Sequence, residues 1–321
     1  MSDIIQKIVG VGIVPVIVVN DVTKAEGLAR ALCAGGIPVA EVTLRTESAL
    51  AAIREMAEKV PEITVGAGTV HTVQEAKAAV EAGAKFIVTP GLVRETAQWC
   101  LENNIPVFPG CSGPADIEAA MQMGLKTVKF FPAEPYGGVK TLKALSGPYS
   151  KIKFMPTGGI NENNLADYLA LGSVAACGGS WMVPQAMVEQ GDFESIISLC
   201  RESVRRAFGF ELLHVGINAQ DSQEAGKVAR SFAGLFSLPV TELPGAYFAG
   251  SMLEVVKSPF LGANGHIAVQ TNNIDRAVSY FESRGEEFDH STEARDEKGK
   301  LITIYFKNEI GGFAVHLRRK N

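Results

Sequence analysis

The sequence predicts an α/β protein of two domains, a (β/α)8 barrel over residues 1–208 and a smaller α+β domain over residues 209–321. Three observations support this division. The chain of 321 residues is long for one ordinary domain. Up to about residue 208, eight short apolar runs alternate with helical segments. Beyond that point the pattern changes to short strands with one helix in each of two repeats.

The eight apolar runs of the first domain have the length and composition of buried strands. They are continuous rather than alternating, which is typical of parallel sheets covered by helices. The predicted strands are 13–19, 38–44, 63–67, 86–89, 107–109, 127–131, 154–157 and 174–178. Segments rich in alanine, leucine and glutamate lie between them, and several end in a glycine, as helices often do. These predicted helices are 24–34, 48–59, 72–82, 94–103, 114–123, 139–145 and 163–171.

Eight strand–helix units favour a closed barrel. The alternative is an open doubly wound sheet, which would need a glycine-rich phosphate loop after its first strand. The run 18–21, Val-Val-Asn-Asp, is not such a loop. The strongly apolar segment 8–19 is short for a membrane span and contains Gly10, Gly12 and Pro15. We therefore interpret it as a buried strand rather than a signal peptide.

Composition narrows the class of protein. The net charge of −5 gives no basic surface for binding nucleic acid. The five cysteines all precede residue 201, and no pair has the close spacing of a metal site. We expect a reduced, cytoplasmic protein with small-molecule partners and neither nucleic-acid nor membrane partners.

Lys129 interrupts an apolar strand, where a lysine is unusual. Burial of an ammonium is costly and lowers its pKa, which makes the amine a nucleophile able to form a Schiff base with a carbonyl compound. The alternative is a lysine at a strand end whose ammonium reaches solvent.

The second strand carries three polar residues at alternate positions, Glu41, Thr43 and Arg45, so the sequence predicts that they share one face. A carboxylate there could transfer protons, and an arginine could bind a substrate carboxylate through two hydrogen bonds. A buried structural ion pair is the alternative.

Glycines follow several predicted strands. Paired glycines end the seventh and eighth strands, where barrels commonly bind phosphate through backbone N–H groups. The third strand ends in a Gly-Ala-Gly run followed by Thr69. A phosphate-binding barrel isomerase or synthase without covalent catalysis remains an alternative, although such an enzyme has no need of Lys129.

Five motifs in order give the first domain a family resemblance over about residues 5–207. They are Glu41-Val42-Thr43-Leu44-Arg45-Thr46-Glu47, Gly66-Ala67-Gly68-Thr69-Val70, Lys129-Phe130-Phe131-Pro132-Ala133-Glu134, Pro156-Thr157-Gly158-Gly159-Ile160 and Gly178-Gly179-Ser180-Trp181. The chain resembles the class I aldolases of 2-keto-3-deoxy-6-phosphogluconate and 4-hydroxy-2-oxoglutarate.

The resemblance implies a homotrimeric (β/α)8 lyase that needs no metal for aldol cleavage and releases pyruvate from a 2-keto acid. The aldehyde product would be glyceraldehyde 3-phosphate or glyoxylate. An aldolase for another 2-keto-3-deoxy acid is the alternative. By resemblance, Lys129 forms the Schiff base, Glu41 is the general acid/base, Arg45 and Thr69 hold the pyruvate carboxylate, and Pro90 and Phe131 line the pocket. A substrate phosphate would be held by Thr157, Gly158, Gly159, Gly179 and Ser180.

Two positions depart from the family pattern. Gly113 stands where members commonly carry a threonine after the fifth strand, and the first strand lacks the arginine that some relatives have. Both positions bear on the distal half of the substrate rather than on the pyruvate half.

The second domain is predicted as two copies of a strand, a helix and further strands. The first copy has a strand at 211–218, a helix at 222–236 and strands near 240–242 and 252–257. The second copy has a strand at 265–269, a helix at 274–284 and strands near 287–289, 301–307 and 313–318.

Histidines occupy corresponding places in the two copies. His214 and His266 lie in the first strands, and Glu254 and His316 in the last strands. The spacing resembles the glyoxalase-like, vicinal oxygen chelate superfamily, in which paired βαβββ repeats surround a divalent metal. A histidine-rich set suits zinc, nickel, iron or copper. A non-catalytic binding or oligomerisation module is the alternative. His290 is interpreted as a surface residue.

Overall fold

The structure is a computed structural model that describes residues 3–320, with the side chains of residues 4–320. The chain divides into two compact units, with the division between Ala207 and Phe208. No helix among residues 3–320 combines the length and the apolar character needed to cross a membrane.

Eight short strands form the centre of the first unit. They are β1 (Ile13–Ile17), β2 (Val39–Thr43), β3 (Thr64–Gly68), β4 (Ile87–Val88), β5 (Val107–Phe108), β6 (Thr127–Phe130), β7 (Lys153–Pro156) and β8 (Cys177–Gly179). Each predicted strand overlaps one of these. Most are shorter than predicted, because apolar residues at the ends of the runs, such as Val19, Leu44 and Phe131, lie in the adjoining loops.

The strands follow a cyclic order. Six form a parallel sheet in the order β5-β4-β3-β2-β1-β8, and β6 pairs with β7. Parallel bridges of Gly110 with Lys129 and of Thr157 with Gly178 join the two sheets on either side. Every strand therefore has two neighbours, as in a TIM-like (β/α) barrel. The open doubly wound sheet is excluded.

Ten helices accompany these strands in the described part of the first unit. They are α1 (Asp3–Val11), α2 (Ala25–Ala34), α3 (Ala49–Lys59), α4 (Val73–Glu81), α5 (Arg94–Glu102), α6 (Pro114–Gln122), α7 (Gly138–Ser146), α8 (Leu165–Leu169), α9 (Gln185–Gln190) and α10 (Phe193–Phe208), with short 3₁₀ helices at Val22–Lys24 and Glu134–Tyr136. No helix was predicted at α1, α9 or α10.

The predicted strand over residues 8–19 was wrong in its first third. Ile8 and Val11 belong to α1 and are buried at a helical spacing of three residues. Gly12, at φ 73°, ends the helix in the left-handed region that favours glycine. The last four residues of the helix and all of β1 lie in one apolar run, 8–19, which hid the boundary between them.

Close approach inside the barrel depends on glycine. A Cβ at Gly66 on β3 would lie 2.4 Å from the ring of Phe86, which is fully buried beside β4. Phe86 in turn makes an edge contact with Phe108 on β5, with the ring centroids 5.9 Å apart. The aromatic core of the barrel therefore fixes the spacing of β3, β4 and β5.

The second unit consists of two βαβββ repeats. The first is β9 (Glu211–Asn218), α11 (Ser222–Phe236), β10 (Val240–Glu242), β11 (Ala246–Ala249) and β12 (Leu253–Val256). The second is β13 (His266–Thr271), α12 (Ile274–Glu282), β14 (Phe288–Arg295), β15 (Leu301–Phe306) and β16 (Ala314–Arg319). The duplication predicted from the sequence is confirmed at the level of element order, although β11 was missed and β14 is longer than predicted.

All eight of these strands form one sheet in the order β10-β11-β12-β9-β13-β16-β15-β14. The first and last strands of each repeat are parallel neighbours, and the repeats meet where β9 pairs antiparallel with β13. The two halves of the sheet therefore have the same internal order. The first and last strands of the two repeats, β12, β9, β13 and β16, occupy the four central places of the sheet.

Candidate functional site

Lys129 and Glu41 meet inside the barrel. Lys129 lies on β6 and Glu41 on β2, and their Nζ and Oε1 atoms are 3.3 Å apart. Lys129 is 6% exposed and Glu41 is fully buried. The ammonium therefore does not reach solvent along the strand, and the interpretation as a lysine at a solvent-exposed strand end was wrong. A buried amine next to a carboxylate can lose its proton to that carboxylate, which is the first requirement of a nucleophilic lysine.

Glu41 lies in a space that β3 leaves free. A Cβ at Gly68 would lie 2.2 Å from Glu41 Oε1, so the glycine makes room for the carboxylate. The second oxygen, Oε2, is buried and has no hydrogen-bond partner among residues 3–320. A buried carboxylate oxygen without a protein donor is costly and is typical of sites that bind a ligand or exchange protons. The ring of Phe131 covers the lysine, with its centroid 5.3 Å from Nζ.

Arg45 does not share the interior face of β2, and this prediction was wrong. The strand ends at Thr43, whose hydroxyl donates to the carbonyl of Ile17 on β1. Arg45 lies in the following turn and is exposed. It therefore lies just beyond the carboxyl end of β2, and the buried ion pair of this strand joins Glu41 to Lys129 instead.

Thr69 and Pro90 also follow the ends of strands. Thr69 comes directly after β3 with φ 58°, a left-handed conformation that is unfavourable for a β-branched residue. Strain of this kind costs of order 1–3 kcal/mol and is concentrated at functional sites. Pro90 is half-buried two residues after β4. Arg45, Thr69 and Pro90 thus all follow the carboxyl ends of neighbouring strands, where barrel enzymes bind their substrates.

The loop after β7 contains two glycines in the left-handed region. Gly158 and Gly159 adopt φ values of 98° and 84°. The side chains of Asn161 and Asn164 donate to the carbonyl of Gly159 at 3.3 and 3.1 Å. The carbonyl of Gly158 accepts from the N–H of Glu134 at 3.0 Å. Backbone turns of this kind can form concave sites that favour anions.

The loop after β8 lies next to the loop after β7. Thr157 forms a bridge with Gly178, and a Cβ at that glycine would lie 2.4 Å from the threonine hydroxyl. Gly179 lies under the indole of Trp181, and Ser180 is exposed. The ends of β7 and β8 therefore bring the five predicted phosphate residues together along one edge of the barrel.

Two residues that support the glycine loop were not predicted. The Tyr168 hydroxyl donates a short hydrogen bond to the Glu134 carboxylate, and the stem of Glu134 packs where a Cβ of Gly159 would be. Burial, followed by the hydrogen bond to Glu134, raises the pKa of Tyr168, so the phenol stays protonated. Glu134 ends the Lys129 motif, but no sequence pattern paired it with Tyr168.

A parallel barrel with a buried lysine beside a carboxylate is the arrangement expected of a class I aldolase, which is a lyase. The chain belongs to the KDPG and KHG aldolase family, whose model matches residues 4–199. It is 50% identical over 195 residues to the KHG/KDPG aldolase of Escherichia coli (strain K12), covering 61% of this chain and 92% of the relative. A 2-dehydro-3-deoxy-phosphogluconate aldolase of Dickeya dadantii (strain 3937) is 49% identical over the same shares.

Solved structures agree with this assignment. The KDPG aldolase of Legionella pneumophila, with pyruvate captured as a covalent carbinolamine, is 40% identical with a TM-score of 0.59 over 61% of this chain and 96% of that one. The aldolase of Zymomonas mobilis ZM4 with 3-phosphoglycerate is 38% identical with a TM-score of 0.60, over 64% and 96% of the two chains. The family match ends before the second unit begins.

The second unit brings its four predicted metal ligands together. Ligand nitrogens of His214, His266 and His316 all lie within 4.8 Å of one another. Glu254 Oε2 lies 2.9 Å from His214 Nε2 and 3.2 Å from His266 Nε2. His290 is exposed and pairs with Glu282 and Glu293, as expected of a surface residue.

The duplicated strands explain how these side chains converge. In the antiparallel pair β9–β13, His214 is opposite Ala268 and His266 is opposite Gly216. A Cβ at Gly216 would lie 1.9 Å from the ring of His266, so this glycine is required for the imidazole to lie flat on β9. A small residue opposite each histidine lets both rings turn toward the same point.

The electrostatics of the cluster suit a cation. Burial raises the pKa of Glu254, but hydrogen bonds from His214 and His266 outweigh this effect and hold the pKa at about 2. Burial, together with the neighbouring imidazoles, lowers the pKa of His316 to about 3, so this ring is neutral near pH 7. Neutral imidazoles and an ionised carboxylate are the forms that bind metals. Three nitrogens and one oxygen fit the donor preferences of zinc and its neighbours in the transition series.

We predict that Gly68→Ala lowers kcat for aldol cleavage about 100-fold, the scale of general acid–base catalysis. The added methyl displaces Glu41 from Lys129, because the Cβ would lie 2.2 Å from its Oε1. Steady-state kinetics measures the effect. Gly172→Ala is the control, since nothing lies within 4 Å of its Cβ. Full activity of Gly68→Ala would show that the position of Glu41 does not matter.

Proposed function

We propose that the first unit cleaves 2-keto-3-deoxy-6-phosphogluconate to pyruvate and glyceraldehyde 3-phosphate, and 4-hydroxy-2-oxoglutarate to pyruvate and glyoxylate. Lys129 is the Schiff-base lysine. The observation that carries the proposal is the buried pair of Lys129 and Glu41, 3.3 Å apart. The relatives named KHG/KDPG aldolase support both substrates.

The chemistry follows from these two groups. The neutral amine of Lys129 attacks the 2-keto carbon, and loss of water gives an iminium cation. Glu41 removes the proton of the C4 hydroxyl, the C3–C4 bond breaks, and its electron pair flows into the iminium. The products of this step are the aldehyde and the enamine of pyruvate. Protonation at C3 and hydrolysis release pyruvate and restore the amine.

The residues at the strand ends orient the two halves of the substrate. We assign the pyruvate carboxylate to Arg45 and Thr69, with Pro90 and Phe131 as the apolar walls. We assign the distal phosphate to the loops after β7 and β8, where Gly158 and Gly159 adopt the left-handed conformations of an anion-binding turn. Glu134 and Tyr168 support this loop from beneath. An aldolase for another 2-keto-3-deoxy acid remains the alternative for the distal half.

We propose a divalent metal, with zinc as the first choice, in the second unit, and membership of the glyoxalase-like, vicinal oxygen chelate superfamily. The βαβββ duplication and the meeting of His214, His266, His316 and Glu254 support both statements. The unit would act as a metal-dependent enzyme of related metabolism. A non-catalytic binding or oligomerisation module is the alternative.

The protein is further proposed to be a cytoplasmic homotrimer whose aldol cleavage needs no metal. The aldolase resemblance supports the trimer, and the scattered positions of the five cysteines support a reducing compartment. Sedimentation equilibrium tests the trimer, since the assembly would have three times the 34.2 kDa mass of one chain.

Treatment with borohydride in the presence of pyruvate should add a reduced pyruvyl group at Lys129, because the reagent reduces the iminium to a stable amine. Peptide mass spectrometry locates the modification. Lys126→Ala, which changes an exposed lysine three residues away, should be modified normally, whereas Lys129→Ala should be neither modified nor active. An unmodified Lys129 in the native protein would contradict the Schiff-base mechanism.

A negative charge at the proposed phosphate loop should discriminate between the two substrates. Ser180→Asp is expected to lower kcat/KM for the phosphorylated substrate at least tenfold through like-charge repulsion. Cleavage of 4-hydroxy-2-oxoglutarate should fall less, because its distal carboxylate is on C5, closer to the scissile bond and farther from the loop than a phosphate on C6. Ser180→Asn introduces a side chain of the same shape as aspartate without the charge and should behave like the native protein. If the two substitutions had equal effects on kcat/KM, or if kcat/KM fell equally for both substrates, the phosphate would bind elsewhere.

Metal analysis tests the second unit. The full chain is equilibrated with zinc and then dialysed, and its metal content is measured by elemental mass spectrometry. The native protein should retain one zinc per chain. His214→Ala should lose the zinc because a buried ligand is removed. His290→Ala, which changes an exposed histidine outside the cluster, should retain the metal. A native protein without zinc, nickel, iron or copper under these conditions would favour the non-catalytic alternative.

A further inference from the structure

We propose that the cavity of the second unit binds a small 2-oxo or 2-hydroxy acid, with its carboxylate on Arg318 and its second oxygen on the metal. This inference rests on the proposed metal site of His214, His266, His316 and Glu254. It adds the class of ligand, which the cluster alone does not define.

The cluster opens into a cavity of about 480 Å³, a size suited to a small organic molecule. All four cluster residues line it, together with the side chains of Thr303, Tyr305 and Arg318. The ring of Tyr305 packs against that of His316, with the centroids 4.5 Å apart, and its phenol can donate a hydrogen bond to a ligand in the cavity. The cavity therefore offers a metal site, a hydrogen-bond donor and a cation.

Arg318 is the cation of this cavity, and it has no acidic partner among residues 3–320. Its Nη1 lies 3.4 Å from the hydroxyl of Thr303, its neighbour across β15 and β16. The adjacent Arg319 differs, because its guanidinium pairs with Asp296 at 2.8 Å. An arginine without a protein carboxylate, facing a cavity, is suited to bind a ligand carboxylate through two parallel hydrogen bonds.

The positions of Arg318 and His316 on β16 bring two binding groups to one side of the sheet. Arg318 is two residues beyond His316, so the two side chains leave the same face of the strand. A carboxylate can pair with the guanidinium while a second oxygen of the same molecule binds the metal. An acid whose second oxygen is on the carbon next to the carboxylate is the smallest ligand that offers both groups. Zinc can accept this oxygen as a fifth ligand.

The two repeats have diverged where they line the cavity. Thr303 and Arg318 form a cross-strand pair in the second repeat, and Ala246 with Val256 is the corresponding pair of the first. All four line the cavity. One wall is therefore polar and cationic while the other is apolar. This asymmetry matches a ligand with a carboxylate at one end and a short alkyl group at the other.

Titration of the full chain loaded with Co²⁺ tests the inference, with lactate as the probe. Lactate has no ketone or aldehyde carbonyl and cannot form a Schiff base with Lys129, so only the metal site can respond. The visible bands of Co²⁺ should change in a saturable way when the hydroxyl oxygen joins the metal. Propionate, which lacks that oxygen, and lactamide, which lacks the charge, should give no saturable change.

Arg318→Gln should raise the dissociation constant of lactate at least tenfold and leave the Co²⁺ content unchanged. Arg319→Gln is the matched control and should bind lactate normally. Co²⁺ binding without a response to lactate, or an unchanged affinity in Arg318→Gln, would overturn this inference alone. Failure of the native chain to bind Co²⁺ would overturn the proposed metal site and, with it, this inference.

Discussion

The contact between Lys129 and Glu41 is the constraint on which the first unit depends. Two charged groups that are almost fully buried are tolerated only when they are paired, since either one alone would carry a large desolvation penalty. Their strands, β6 and β2, are four places apart in the sheet order. In an open sheet that separation is about 19 Å at the usual spacing of neighbouring strands. Closure of the barrel reduces the distance between the charged atoms to 3.3 Å, so this buried pair can form only in the closed fold.

The second unit reaches a similar result by duplication rather than by closure. A βαβββ repeat places its first and last strands side by side, and the antiparallel meeting of β9 with β13 brings the two such pairs together. One ligand on each of these four strands is then enough to build a four-ligand cluster. The symmetry is broken at Gly216, whose lack of a side chain gives His266 its space, while Ala268 lies opposite His214. The cluster therefore depends on the packing of the His266 imidazole against the backbone of Gly216, which has no side chain.

Sequence periodicity located these elements well where burial is regular. The predicted strand at 211–218 and the helix at 222–236 coincide with β9 and α11. Sequence periodicity failed where adjoining helix and strand residues were equally apolar, as at the end of α1 and in β1. Hydrophobicity alone does not mark the residue at which one element ends and the next begins. Sequence periodicity also placed Arg45 on β2, which ends two residues earlier. The alternation of polar residues does not indicate where the hydrogen bonding between strands stops. The support of Gly159 by Glu134 and Tyr168 joins residues 34 positions apart, and no local pattern contains that contact.

The divergence of the two repeats bears on what the second unit does. Arg318 is exposed, lines the cavity and has no acidic partner among the described residues, so its guanidinium is available to a ligand. The cluster of three buried histidines and Glu254 is costly to maintain, because the Nδ1 atoms of His266 and His316 lack hydrogen-bond partners within the described residues. The Nε2 atoms of His214 and His266 converge on Glu254, and a cation at the cluster would bind them together with the carboxylate. Because Arg318 and Thr303 lie on only one side of the cavity, the proposed ligand would have two different ends.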